Sequence, residues 1–98
     1  MVVINWTDQS INDLDKIGEF IEKDSLKYAK IQVKRLIERG NFLKYQPYLG
    51  RMVPEYNDKS IRELIHGNYR IIYKVVSEER IDIITVHHSA KRLRLDLG

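Results

Sequence analysis

Between residues 11–37 and residues 61–88 the hydrophobic residues change from helical to strand-like spacing, and this change constrains the fold more than any other feature of the sequence. In the second half, residues 61–66, 69–76 and 80–88 are rich in β-branched and aromatic residues, which is typical of strands. In the first half, hydrophobic residues instead recur every three or four positions, which predicts amphipathic helices. They form two stripes, Ile11, Leu14, Ile17 and Ile21, then Leu26, Ala29, Val33, Leu36 and Ile37.

The ends of the two helices carry recognisable signals. Thr7 is a candidate N-cap for the first helix, after a short strand at residues 2–6, and Asp24 or Ser25 can cap the second. Gly40-Asn41 predicts a left-handed C-cap. Because few residues separate the two stripes, we expect the helices to form an antiparallel hairpin.

Residues 41–60 have no periodicity and are predicted to form a long ordered loop. Gly67-Asn68 predicts a tight hairpin turn between the first two strands that follow, and residues 77–79 a second turn. We therefore predict an α+β fold, in which a two-helix antiparallel hairpin packs on a mainly antiparallel four-stranded sheet that includes the N-terminal strand. The 98 residues and 11.7 kDa fit one domain over residues 1–98.

The tight turn also predicts which residues face each other. It places His66 opposite Tyr69, and across the second turn it places Val76 opposite Ile81 and Arg70 opposite His87. The more apolar face is expected to receive the helices and comprises Arg62, Leu64, His66, Tyr69, Ile71, Tyr73, Val75, Ile84, Val86 and His88. The other face comprises Ile61, Glu63, Ile65, Arg70, Ile72, Lys74, Ile81, Ile83, Thr85 and His87.

The second face has charges at its centre, so it is either exposed to solvent or covered by groups that pair them. Arg70 beside Glu63 and His87 offers a fixed cation for a phosphate and an imidazole that titrates near neutrality. The alternative is a structural salt bridge between Glu63 and Arg70. Arg51 and Glu55, in the loop, are expected to pin that loop to the sheet through a salt bridge.

Composition narrows the possible chemistry. The chain has no cysteine, which excludes thiolate sites, and His87 and His88 are expected on opposite faces, which argues against a shared metal ion. We expect no cofactor.

The net charge of +3 comes from residues 40–98, whose densest basic cluster is Lys91, Arg92 and Arg94. No apolar run is long enough for a membrane span, so we expect a cytoplasmic protein without membrane contact.

Four sequence runs, in this order, resemble the RelE/ParE superfamily of bacterial toxins. They are Gly50-Arg51-Met52-Val53-Pro54-Glu55, Ile61-Arg62-Glu63-Leu64-Ile65, Tyr69-Arg70-Ile71-Ile72-Tyr73 and Val86-His87-His88-Ser89-Ala90-Lys91-Arg92-Leu93. The resemblance covers essentially the whole chain. It implies the toxin of a type II toxin-antitoxin pair, neutralised by a cognate antitoxin protein in a hetero-oligomer.

The superfamily contains two activities. RelE-like members cleave messenger RNA on the ribosome, and this resemblance implies catalytic roles for Arg70 and for His87 or His88. However, Ile61 and Glu63 stand where that branch has basic residues, and an anionic Glu63 would repel a phosphate.

ParE-like members block DNA gyrase without being nucleases, and the first, second and fourth runs favour this branch. The chain is then expected to act by binding its target or antitoxin through Glu63, Arg70, Lys74, His87, Lys91, Arg92 and Arg94. Two alternatives stay open: a RelE-like endoribonuclease with ribosome and mRNA as partners, and an inactive relative that only binds an antitoxin.

Overall fold

The computed structural model describes residues 2–89, and they form a two-helix hairpin packed on one sheet. The elements follow in the order β1 (Val3–Trp6), α1 (Asp8–Glu22), α2 (Leu26–Asn41), a 3₁₀ turn (Phe42–Lys44), β2 (Arg51–Met52), β3 (Ile61–His66), β4 (Tyr69–Ser77) and β5 (Arg80–His88). The sheet order is β1-β5-β4-β3-β2, with β1 parallel to β5 and the other pairs antiparallel. The predicted α+β class is confirmed, with the two-residue β2 as a fifth strand inside the expected loop.

The helix starts are capped as predicted. The Thr7 hydroxyl accepts a hydrogen bond from the Ser10 N–H, and the Ser25 hydroxyl accepts one from the Tyr28 N–H. The predicted left-handed C-cap at Gly40-Asn41 is wrong, because the chain continues from α2 directly into the 3₁₀ turn. Within residues 2–89, only Gly67 has a positive φ, 58°.

Gly40 serves packing instead of capping. A Cβ on Gly40 would lie 2.5 Å from Cζ2 of Trp6, so only glycine lets the indole ring rest against the end of α2. The indole N–H also donates to Asn41 Oδ1 at 2.8 Å. The strand and the second helix are thereby joined at the point where a cap was expected.

The hairpin at Gly67-Asn68 has the predicted register, with His66 opposite Tyr69 and Arg70 opposite His87. The predicted pair of Val76 and Ile81 is wrong, because Ile81 faces Val75. Two register shifts between β4 and β5 cause this: Ile84 is an extra residue in β5, and Val76 is an extra residue in β4.

The shift at Ile84 also exchanges the faces of part of β5. Ile81 and Ile83 belong to the core beneath the helices, whereas Ile84 packs on the opposite side, the reverse of the prediction. The Thr7 hydroxyl donates to the Ile83 carbonyl at 2.7 Å, and the Asp13 carboxylate accepts from the Thr85 hydroxyl and the Val86 N–H. Polar groups at the start of α1 therefore hold the irregular stretch of β5.

Hydrophobic cores lie on both faces of the sheet. The larger core lies under the helices and contains Leu14, Leu36, Leu43, Leu64, Ile71, Tyr73, Val75, Ile81, Ile83 and Val86. A smaller one on the other face contains Val53, Ile61 and Ile72, with Tyr56 and Ile84 packed against it. In the part of the chain that the structure describes, no helix is long and apolar enough to cross a membrane.

Candidate functional site

The charged centre of the second sheet face is a compact ionic cluster around Arg70. Arg70 lies on β4, Glu63 on β3, and Arg51 on β2 opposite Glu63. Glu55 comes from the segment that follows β2, which the buried Val53 anchors in the smaller core. The face is thus covered by a segment that pairs its charges, one of the two arrangements the sequence allowed.

The Arg70 guanidinium is engaged on both of its edges. Nε donates to Glu63 Oε1 at 2.8 Å and Nη2 to Glu63 Oε2 at 3.2 Å, while Nη1 and Nη2 donate to the Glu55 carboxylate at 2.8 and 2.9 Å. Arg51 Nε lies 3.5 Å from Glu63 Oε2. The predicted salt bridge between Glu63 and Arg70 is confirmed, and so is the pinning of the loop through Arg51 and Glu55.

Burial differs between the two carboxylates. The Glu63 side chain is fully buried, whereas 43% of the Glu55 side chain is exposed. The hydrogen bonds from Arg70 lower the pKa of Glu55 from 4.5 to about 2. The same bonds raise the pKa of Arg70 above its usual value, with Glu55 contributing most. Both partners are therefore charged at neutral pH, and a phosphate could reach Arg70 only by displacing Glu55.

Comparison with known proteins shows the family of the chain. The sequence profile of the ParE toxin of the type II toxin-antitoxin system, parDE, matches residues 4–93. The chain belongs to the ParE toxin family. Comparison with curated protein sequences gives no significant match.

A solved structure shares the ParE fold seen here. It is described as a chromosomal ParDE TA system from P. aeruginosa, and it superposes with a TM-score of 0.74 over 90% of this chain and 96% of that one. The two sequences are 20% identical. At this identity the likeness shows the fold of the ParE toxin and does not identify its site residues.

The two histidines predicted for the site of this ParE toxin lie apart. His87 lies opposite Arg70 in the pairing of β4 with β5. His88 packs edge-on against Tyr69, with 5.4 Å between the ring centroids. Among residues 2–89, no three His, Cys, Asp or Glu side chains are grouped as metal ligands would be.

The other predicted binding residues do not join the cluster. Lys74 is exposed on β4, where it lies opposite Ile61 of β3 and Asp82 of β5. Lys91, Arg92 and Arg94 lie outside the described residues. Of the predicted set, the structure brings together Glu63, Arg70 and His87.

Sequence reasoning missed a second clamp on the loop. The Gly50 N–H donates to the buried Tyr73 hydroxyl at 2.9 Å, and Arg62 Nη1 donates to the Gly50 carbonyl at 3.0 Å. A Cβ on Gly50 would lie 2.4 Å from the Glu63 carbonyl oxygen, so this approach requires glycine. Arg62 also stacks over Tyr48 at 4.8 Å. The only sequence signal was the Gly50-Arg51 pair at the start of the first toxin-like run.

Proposed function

We propose that this ParE-family toxin stops growth by binding and inhibiting DNA gyrase, and that a cognate antitoxin neutralises it by forming a complex with it. The observation that most directly supports this proposal is that the Arg70 guanidinium is already bound within the chain. Arg70 is the residue that matches the catalytic arginine of the RelE-like branch. Its guanidinium is held by Glu55 and by the buried Glu63. A cation engaged in this way positions the loop and has no open edge for a phosphate.

The surroundings of Arg70 support the same proposal. Cleavage of RNA requires groups that stabilise negative charge as it develops on the transferring phosphate. Here Glu55, Glu63, Arg51 and Arg70 form a cluster in which acidic and basic charges balance. The net basic charge needed to attract and stabilise a phosphate is absent from this group.

A variant that removes the cation without leaving a buried charge tests the mechanism. In the double substitution Arg70→Met and Glu63→Leu, both buried charges are replaced by apolar groups. Glu63 and Arg70 belong to the set expected to bind target or antitoxin, but here their side chains bind each other. We therefore expect wild type and double variant to inhibit supercoiling by purified gyrase alike, and neither to cleave transcripts in a ribosome-dependent assay. Arg80→Ala, which removes an exposed arginine that also pairs with a carboxylate, is the matched control.

The two activities give opposite results in this experiment. Transcript cleavage by the wild type that is lost in the double variant, with the fold verified by circular dichroism, would establish the nuclease mechanism instead. Inhibition of gyrase by both proteins without cleavage supports the proposal. Absence of both activities in the wild type would leave only the antitoxin-binding role.

The C-terminal basic cluster is the proposed contact with the target. Replacing Lys91, Arg92 and Arg94 with alanine should abolish gyrase inhibition, because these charges would face an acidic surface. Replacing the exposed Lys16, Lys27 and Lys59 removes the same charge elsewhere and serves as the control. Equal loss in the two triple variants would contradict a specific role for the cluster.

The antitoxin is tested through the neighbouring reading frame. We expect the product of a small adjacent gene to copurify with the toxin and to suppress its inhibition of gyrase. An acidic binding segment would make the association rate fall as salt rises. Failure of that product to bind would contradict its assignment as antitoxin without affecting the gyrase assay.

A further inference from the structure

An open pocket lies between the end of α2 and the end of β3. It has a volume of about 300 Å³. Its lining consists of Arg35, Glu38, Arg39, Phe42 and His66. His66 shares the helix side of β3 with Leu64 of the larger core, because alternate residues of a strand point to the same face. The sheet therefore separates this pocket from the ionic cluster around Arg70.

Arg35, Arg39 and Phe42 lie on one face because helical backbone runs through all three positions. Asn41 has φ −66° and ψ −24°, and Phe42 has φ −63° and ψ −21°, so the chain keeps its helical path from α2 into the 3₁₀ turn. Side chains four and then three residues apart are neighbours along a helix. A left-handed cap at Gly40 would have ended this path before Phe42. The 3₁₀ turn thus places an aromatic ring beside two guanidinium groups.

The two arginines of the pocket are not paired within the part of the chain that the structure describes. Among residues 2–89, no ion pair involves Arg35 or Arg39. The acidic lining residue Glu38 instead has its Oε1 atom 4.0 Å from Lys34 Nζ, and 63% of its side chain is exposed. Residues 34–44 contain four basic residues and one acidic residue, so the surface is net positive. Two guanidinium groups at this spacing can bind one phosphate.

Exposed aromatic rings continue the basic surface. Phe42 and Tyr45 are 43% and 67% exposed, and their rings meet edge to face with 5.6 Å between centroids. Lys44 Nζ lies 5.0 Å from the centroid of the Tyr45 ring. Exposed rings interleaved with cations are typical of surfaces on which unpaired bases stack.

We propose that this surface binds a single-stranded polynucleotide, with a phosphate between Arg35 and Arg39 and a base stacked on Phe42. His66 adds a ring N–H donor on the far side of the pocket. The volume is at the lower end of ligand sites, about 300–1,000 Å³, and basic and aromatic groups continue beyond the pocket. A strand therefore fits this surface better than a single nucleotide. In a duplex the base faces are covered by their neighbours and cannot reach the ring.

The charges of the pocket are tested with the full-length toxin and labelled strands of about 12 nucleotides, one of dT and one of rU. Fluorescence anisotropy should give a dissociation constant of about 1–100 µM at about 0.15 M NaCl. The double substitution Arg35→Gln and Arg39→Gln should weaken binding about tenfold. It should also reduce the salt slope by about 1.4, since each phosphate contact to a single strand contributes about 0.7.

The matched control removes the same charge elsewhere on α2. Lys27→Gln with Lys30→Gln changes two exposed lysines outside the pocket and should leave affinity and salt slope close to the wild type. Equal weakening by the two double variants would mean that the strand responds only to overall charge, which overturns the proposal.

The ring is tested separately from the charges. Phe42→Leu keeps an apolar side chain and removes the stacking surface, so binding should weaken about tenfold while the salt slope stays that of the wild type. Phe20→Leu, at a ring that is 67% exposed on α1, is the control. Circular dichroism verifies the fold of each variant. Unchanged binding by Phe42→Leu would assign the arginines to an acidic protein segment instead.

Three further results would overturn the proposal. They are no binding by the wild type at roughly 100 µM toxin and about 0.05 M NaCl, a duplex bound as tightly as the strand, and thymidine monophosphate bound as tightly as the strand. Preference for dT or for rU identifies DNA or RNA as the ligand, and binding of either supports the site. The measurement uses the toxin without gyrase, so its result is independent of the proposed inhibition.

Discussion

Arg70 links three parts of the molecule through one side chain. It joins β4 to Glu63 of β3 and to Glu55 of the segment after β2. This link matters for the stability of the fold mainly because the Glu63 side chain is fully buried. A buried carboxylate is tolerated only while its cation is present.

Removing the cation should therefore be costly. We expect Arg70→Ala to lower the free energy of unfolding by about 3–5 kcal/mol, because the buried Glu63 carboxylate loses both hydrogen bonds from Arg70 and keeps only the longer contact to Arg51, at 3.5 Å. The double variant Arg70→Met and Glu63→Leu should recover most of this loss. Urea unfolding measures both, and Arg80→Ala, at an exposed pair, should change stability by less than about 1 kcal/mol. A double variant as unstable as Arg70→Ala would contradict the argument.

Glu55 gives the cluster a pH dependence. Its pKa is about 2 in the folded chain, because Arg70 donates to it, against 4.5 for the unperturbed group. The folded state binds fewer protons at this site than the unfolded state, so stability rises with pH across this interval. The contribution is fully present above about pH 4.5 and is lost as pH falls towards 2.

The variant Glu55→Gln should make the free energy of unfolding depend less on pH between about pH 2 and about pH 4.5. Because 43% of the side chain is exposed, solvent screening keeps the effect below the full linkage value. Urea unfolding at about pH 3 and about pH 6, inside and above the titration interval, measures the difference between wild type and variant. The exposed Glu78→Gln is the control, and an identical pH dependence in Glu55→Gln and wild type would rule out this role.

At the scale of elements, two helical glycines have opposite environments. Gly40, in α2, faces the Trp6 ring, with 2.5 Å from its would-be Cβ to Cζ2 of the indole. Gly18, in α1, has only Val33 Cγ2 nearby, at 3.4 Å. Helix propensity alone would favour alanine at both positions by about 1 kcal/mol.

Packing should separate the two substitutions. Gly40→Ala should destabilise the fold by about 1–3 kcal/mol, because the indole must move and its bond to Asn41 is disturbed. Gly18→Ala should be neutral or stabilising by up to about 1 kcal/mol. Thermal unfolding of the pair checks this, and destabilisation by Gly18→Ala as large as that of Gly40→Ala would contradict it.

At the scale of the whole molecule, stability is concentrated in the middle of the sheet. β4 is bonded to β3 and β5 and has a hydrophobic core on both faces. β1 is a four-residue edge strand whose alternate residues are exposed. The central strand should therefore open only when the whole domain unfolds.

Hydrogen exchange should reveal this order. Amides of residues 71–75 should exchange with the free energy of global unfolding, and those of Val3 and Ile4 should exchange through local opening. Native-state exchange followed by NMR measures both. Equal protection of β1 and β4 would show that the sheet opens as one unit.

Four features could be predicted from the sequence alone. They are the order of elements, the helix starts, the Gly67-Asn68 hairpin and the pair of Arg70 with Glu63. Each depends on residues close in sequence or on strands joined by a tight turn, where local chemistry determines the geometry. The tertiary structure decided three other features. It turned Gly40 into a packing site for Trp6, it moved Ile81 and Ile83 beneath the helices through the extra residue Ile84, and it brought Glu55 onto Arg70. These contacts join residues far apart in the chain, and their geometry follows from how helices, loop and sheet fit together rather than from any local pattern.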